Sequence, residues 1–326
     1  MKLFLTSALG LVAIAGTTLG ATIDGVVDLG EYTNILAIQD TPTGFGDNLS
    51  ELNAAFANLN FDGSLDLALT GNLEAGGNGL VIFIDSRPGG GVAEVLGDGY
   101  GLLGEFGGAR VDDWGGDVNG DFAVDPPPGG PSILDPGFNP ELAIEINTDG
   151  STYWTNIIDM RVPNAPDQIN RDIYLGSNGV GAGGVTQTYW RDGGSTNAGD
   201  ILHAFDNSNV DGVWGYDWGD PPGGLGDPMS AVTGFEFHFS AEFLDWDGMG
   251  DIMLLPFITS GDGGWLSNQF LPGLGGVENP GPPGGIGGEP LFDAHYWDGD
   301  QFLAIPAPGT AALFGLAGLT ALRRRR

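Results

Sequence analysis

No cysteine occurs among the 326 residues, which removes disulfide frameworks, thiolate nucleophiles and cysteine-ligated zinc together. Histidine is nearly as scarce. His203, His238 and His295 are the only three, and none has a second histidine at the spacing of a His-Glu-x-x-His metal helix. Basic residues number 10 against 43 acids, and Lys2 and Arg323 to Arg326 lie at the extreme ends. The stretch between them therefore holds every acid and only five arginines. Such a surface repels phosphate backbones and anionic lipid, so nucleic acid is set aside as a partner. The body also lacks any amphipathic stretch of helical length, which disfavours βαβ architecture.

What is present is glycine, 60 residues, and proline, 21, beside 41% hydrophobic and 10% aromatic residues. That is enough apolar surface for a core, and the composition predicts strands joined by long Gly/Pro/Asp loops. Period-2 stretches bounded by turn residues recur along the body. Residues 52–61 and 64–70 flank Asp62-Gly63, and residues 141–147 and 152–160 flank Asp149-Gly150, so both read as hairpins with two-residue turns. Residues 71–79 read as a turn and 80–85 as a nearly continuous apolar strand. Residues 185–191, 201–205, 232–243 and 252–259 continue the series. The predicted fold is all-β, a jelly-roll-like antiparallel β-sandwich flanked by an N-terminal signal helix and a C-terminal sorting or transmembrane helix. Residues 97–136 and 273–290 read as loops or linkers inside a body spanning 22–305.

The two ends read as addresses. Lys2, an apolar run over 3–15 and small residues through Ala21 give residues 1–21 the zones of a secretory signal, cut after Gly20 or Ala21. Signal peptidase and the Sec export machinery are the expected partners. At the other end, Pro306-Ala307-Pro308 precedes the apolar residues 311–322 and then Arg323, Arg324, Arg325 and Arg326. Twelve apolar residues cover roughly 18 Å as a helix, so they span a bilayer only with help from residues 305–310. The four arginines stay on the cytoplasmic side.

This tail, residues 306–326, resembles the PEP-CTERM sorting signal of Gram-negative bacteria. The resemblance implies transient inner-membrane anchoring, removal of the tail by an exosortase-like membrane peptidase, and release to the cell surface or extracellular matrix. A longer likeness runs through Ile23-Asp24-Gly25 with Tyr32, Leu65 to Leu69, Val81 to Asp85, Leu142 to Ile146, and Gly234-Phe235-Glu236-Phe237-His238-Phe239 before Leu244. These residues are similar to the strand order of family-nine carbohydrate-binding and DOMON-like sandwiches. Residues 265–272 and 45–48 look like segments of exported PEP-CTERM proteins.

Catalysis finds little support. Gly99-x-Gly101-x-x-Gly104 fits a dinucleotide pattern by composition, with no strand-turn-helix around it. Calcium is the better chemical candidate, because that ion takes hard oxygens on flexible loops. Asp117, Asn119, Asp121 and Asp125 occupy positions one, three, five and nine of an EF-hand-type loop, and the segment resembles the start of a dockerin loop. Phe122 and Pro128 stand where the turn glycine and the bidentate Glu belong. Asp245, Asp247 and Asp251 form a second cluster, and both clusters also read as plain solvated acidic loops. Trp214, Tyr216 and Trp218 alternate, so a strand points all three to one face, either a sugar-stacking platform or a piece of core. The expectation is a non-enzymatic, exported surface or matrix protein, glycan-binding and calcium-stabilised. The alternative is an extracellular polysaccharide-acting glycosidase or lyase.

Overall fold

The computed structural model describes residues 20–43, 48–87, 94–95, 132–133, 137–159, 172–191, 196–213, 226–260, 266–273, 300 and 302–307. In chain order the strands are β1 (Asn34–Ile38), β2 (Glu51–Leu59), β3 (Leu65–Asn72), β4 (Asn78–Asp85), β5 (Glu94–Val95), β6 (Ser132–Ile133), β7 (Leu142–Thr148), β8 (Thr152–Asp159), β9 (Asp172–Gly179), β10 (Val185–Arg191), β11 (Thr196–Phe205), β12 (Gly234–Phe239), β13 (Ile252–Ser260), β14 (Leu266–Phe270) and β15 (Leu303–Ile305). A single-turn helix, α1 (Ala241–Leu244), follows β12. One sheet has the order β1-β2-β3-β12-β11-β10 and the other β14-β13-β4-β7-β8-β9, with β15 also paired to β13. Strands β5 and β6 pair only with each other. The protein is all-β, built on two antiparallel sheets.

Alternation decides which side chains fill the space between them. Leu65, Leu67 and Leu69 of β3, Phe235, Phe237 and Phe239 of β12, and Ile201 and Phe205 of β11 join one buried cluster. Leu80, Ile82 and Ile84 of β4, Leu142, Ile144 and Ile146 of β7, and Leu254 and Ile258 of β13 enter it from the second sheet. Phe205 stacks on Phe235 at 4.2 Å and meets Tyr153 of β8 edge-on at 5.8 Å, which ties the sheets together. Every residue of β4 is buried, in keeping with its nearly continuous apolar sequence.

Both Asp-Gly hairpins form, with a turn one step longer than the two-residue expectation. In the first, Gly63 N–H donates to Asn60 O and Asn60 N–H to Ser64 O, so Phe61-Asp62 is the turn and Gly63, at φ 88°, is the left-handed residue after it. Asp62 needs no positive φ because its carboxylate instead accepts from the Ser64 N–H and hydroxyl. The 232–243 strand is cut short. β12 ends at Phe239, and Ser240 caps α1 by accepting from Phe243 N–H at 3.3 Å. Phe243 then folds back onto Phe239 and Tyr189.

The signal segment 1–19 and the tail 308–326 lie outside the described residues. Among those described, no helix is long and apolar enough to cross a membrane.

Candidate functional site

Residues 20–33 lie across the outer face of the first sheet, where Val27 and Tyr32 pack on Ala54, Phe56 and Ala68. Beside backbone hydrogen bonds to Val232 and Gly234, the segment is held by a buried carboxylate, because β12 alternates and its even positions, Glu236 and His238, must point away from the core. Glu236 Oε2 accepts from the backbone N–H groups of Asp24 at 2.9 Å and Gly25 at 2.8 Å, while Oε1 accepts from the Tyr32 hydroxyl at 2.6 Å. Gly25 sits at φ 87°, and a Cβ there would lie 2.7 Å from Asp206 N, so only glycine brings its N–H this close. Burial raises the Glu236 pKa, against the lowering effect of the Tyr32 and backbone hydrogen bonds. The Tyr32 hydroxyl is pushed up by burial and by the Glu236 charge. Ile23-Asp24-Gly25, Tyr32 and the Glu of Gly-Phe-Glu-Phe, distant in sequence, are thus one structural lock.

Two residues along the same face, His238 Nδ1 lies 2.6 Å from Asp66 Oδ1. Asp66 is fully buried, and the histidine side chain is 36% exposed. Asp66 Oδ2 also accepts from Asn60 Nδ2 and from the Ala21 N–H, each at 3.2 Å. The hydrogen bond to Asp66 raises the His238 pKa most, burial opposes it, and the charges of Asp66 and Asp62 add to the rise. With Nδ1–H held by the carboxylate, Nε2 is the base of the neutral ring.

A second polar node stands where β4 ends and β7 begins. Ser86 has one hydroxyl hydrogen and two oxygen neighbours, Leu244 O at 2.6 Å and Glu141 Oε1 at 2.5 Å. The Ser86 N–H donates to Glu141 Oε1 at 3.0 Å, and the single hydroxyl hydrogen is shared between that oxygen and Leu244 O. Burial pushes Glu141 up to about 7, against the lowering effect of the Ser86 hydrogen bonds and of Arg87. Asp85, raised to about 6 by burial, accepts from Asn139 N–H at 2.7 Å. Arg87 completes the node, its Nη2 3.2 Å from Asp245 Oδ2. These contacts clamp together the points at which the chain leaves and re-enters the second sheet around residues 88–136.

A third network roots the segment before Trp214. Glu51 Oε1 accepts from Asn53 and Asn209, and Asn53 Oδ1 accepts from Val213 N–H at 2.7 Å. Gln269 Oε1 accepts from Leu52 N–H, and Gln39 donates to Phe270 O. Inside the core, Tyr153 of β8 meets His203 of β11 with its hydroxyl 3.1 Å from Nδ1, and burial lowers His203 to about 4.

The sequence-derived candidates are distributed as follows. Asp245 takes a left-handed conformation at the end of α1 and pairs with Arg87. Asp247 accepts from Met249 N–H, and Asp251 accepts from Ala307 N–H. The three carboxylates thus serve three separate contacts, and among the described residues no group of three or more His, Asp or Glu is arranged to hold a metal ion. Pro306 is exposed and Ala307 buried directly after β15. Asp117, Asn119, Asp121, Trp214, Tyr216, Trp218, Pro308 and Arg323 to Arg326 lie outside the described residues. Of the other large aromatics, Tyr153 and Tyr189 are core, while Trp190 is 45% exposed. Sequence reasoning passed over Asp66, Glu141 and Glu236 as functional positions. The available signal was an acid inside an apolar run, as in Leu65-Asp66-Leu67 and Phe235-Glu236-Phe237.

Compared with known proteins, the chain matches no family model, no curated protein and no solved structure. The functional reading therefore rests on its own residues.

Proposed function

We propose that this chain is an exported, non-enzymatic surface or matrix protein, carried by a jelly-roll-like sandwich similar to family-nine carbohydrate-binding and DOMON-like modules. In this reading an exosortase-like peptidase removes its C-terminal tail, and residues 214–218 contact extracellular polysaccharide. The observation that carries the reading is the junction at the C-terminal end. Ile305 closes β15 in register with Ile252 of β13, and the Ala307 N–H still reaches Asp251. The apolar stretch and the arginines all follow β15 in sequence, so removing them takes away none of the strands described above. The buried acids Glu51, Asp66, Asp85, Glu141 and Glu236 are engaged in internal hydrogen bonds, which gives them a structural role.

The glycan part is tested with Trp214→Ala and Trp218→Ala. Each is expected to weaken retardation in a polysaccharide affinity gel while changing stability by no more than about 0.5 kcal/mol, the usual range of surface substitutions. A stability loss of roughly 3–5 kcal/mol would mean the rings are core and would defeat the platform.

A further inference from the structure

We propose that the leader is removed at the Gly20–Ala21 bond, and that the α-ammonium so created on Ala21 is captured by the buried carboxylate of Asp66. The proposal rests on the export reading above and specifies its product. Hydrolysis adds water across the amide. Gly20 leaves with the leader as a carboxylate, and the Ala21 nitrogen, gaining a proton and then protonated again, stays on the body as a cation.

The geometry for capture is already present. The Ala21 nitrogen lies 3.2 Å from Asp66 Oδ2, on a side chain with no solvent exposure. Ala21 itself packs against the apolar cluster of Val27, Tyr32, Ala54, Phe56 and Ala68. The next residue is fastened too, since Thr22 donates its N–H and its hydroxyl to the two carboxylate oxygens of Glu31. A cut after Gly20 preserves all of these contacts and turns one into an ion pair. A cut after Ala21 would discard the apolar anchor and leave Asp66 Oδ2 with Asn60 alone from this set. The sequence agrees, because a Gly20 cut places Thr18 and Gly20 at the two positions that must be small, whereas an Ala21 cut places Leu19 at one of them.

The charged and titratable groups around the captured ammonium are few. His238 holds the other oxygen of Asp66, Asp62 acts on His238, and the Tyr32–Glu236 pair lies on the same face with Glu31 beside Thr22. Before cleavage, Asp66 has one partner among the described residues able to carry positive charge, His238. Afterwards it has two, and the new cation weakens the hold on the imidazole. Leader removal therefore lowers the His238 pKa.

Composition makes the test clean. Lys2 is the only lysine, so the processed chain has a single primary amine. Protein secreted from a Gram-negative host is sequenced from its N-terminus, then reductively methylated with 13C-formaldehyde and titrated by NMR. The expected results are an N-terminal Ala21 and an amine pKa at least one unit above the ordinary value of about 7.7–8.0. Asp66→Asn should bring the amine back to that range. As a control that leaves Asp66 untouched, acetylating the amine should raise the His238 pKa measured on its ring proton. A start at Thr22, or an amine at its ordinary pKa in the parent chain, overturns this proposal and leaves export standing. A chain that retains residues 1–20 after secretion trials overturns the export reading itself.

Discussion

Glu236→Ala is expected to destabilise the protein by about 4 kcal/mol, because it removes the acceptor of two buried donors and one half-buried donor at once. The Tyr32 hydroxyl and the amides of Asp24 and Gly25 all end on this carboxylate. Alanine leaves them dehydrated and unpaired under residues 20–33. Glu236→Gln keeps one acceptor oxygen but sets an amide NH₂ against donors, and an intermediate loss of about 2 kcal/mol follows. Chemical denaturation measures both, and hydrogen exchange localises the effect, with protection at the Asp24 and Gly25 amides lost first. An unchanged unfolding midpoint in Glu236→Ala would show that the segment is held by its other contacts, the apolar packing and the hydrogen bonds to Asp66, Asn58 and the β12 backbone.

Glu141→Gln is expected to do the opposite and stabilise the protein in alkaline solution. The folded-state pKa of Glu141 is raised to about 7 from 4.5, so its neutral form contributes stability that is fully present below pH 4.5 and is lost as pH rises through 7. A shift of that size corresponds to about 3 kcal/mol. Glutamine is permanently neutral and keeps an acceptor oxygen for the Ser86 N–H and hydroxyl. Above pH 8 the variant should therefore exceed the parent by up to about 3 kcal/mol, and near pH 4.5 the two should converge. His203 works in the other direction. Its pKa is lowered to about 4 from 6.5, so its contribution is present above 6.5 and lost as pH falls towards 4. Removing the Glu141 limb should leave this acid limb set against the smaller opposite limb of Asp85, whose pKa is raised to about 6, in the variant's pH–stability profile. Parallel profiles for the two proteins between pH 4.5 and 8 would contradict a protonated Glu141.

The fold was legible where apolar alternation was strong. Leu65, Leu67 and Leu69, or Phe235, Phe237 and Phe239, can only be one face of a strand. It was illegible where polar side chains are buried through mutual hydrogen bonds. β14 carries Ser267, Asn268 and Gln269, all buried, and no hydrophobic pattern marks such a segment. β1 escaped for the reverse reason. It is an edge strand with Ile35 and Ile38 facing solvent, so its alternation is blurred. The length of β12 was overestimated because Phe243 continues the aromatic series, although Ser240 is a good helix cap. Of the outer-face chemistry, Ile23-Asp24-Gly25, Tyr32 and Glu236 stood out in the sequence only as strand motifs and not as members of one site. Their convergence depends on a pairing between the N-terminal segment and β12 more than 200 residues away, which local reasoning does not supply.

The central claim is that this sandwich is delivered by its tail and then separated from it. The most direct measurement is mass spectrometry of the intact protein and its terminal peptides, recovered from the surface or medium of the native cells. The account predicts a chain that lacks Arg323 to Arg326 together with the preceding apolar stretch. Released protein that still carries those four arginines would contradict it.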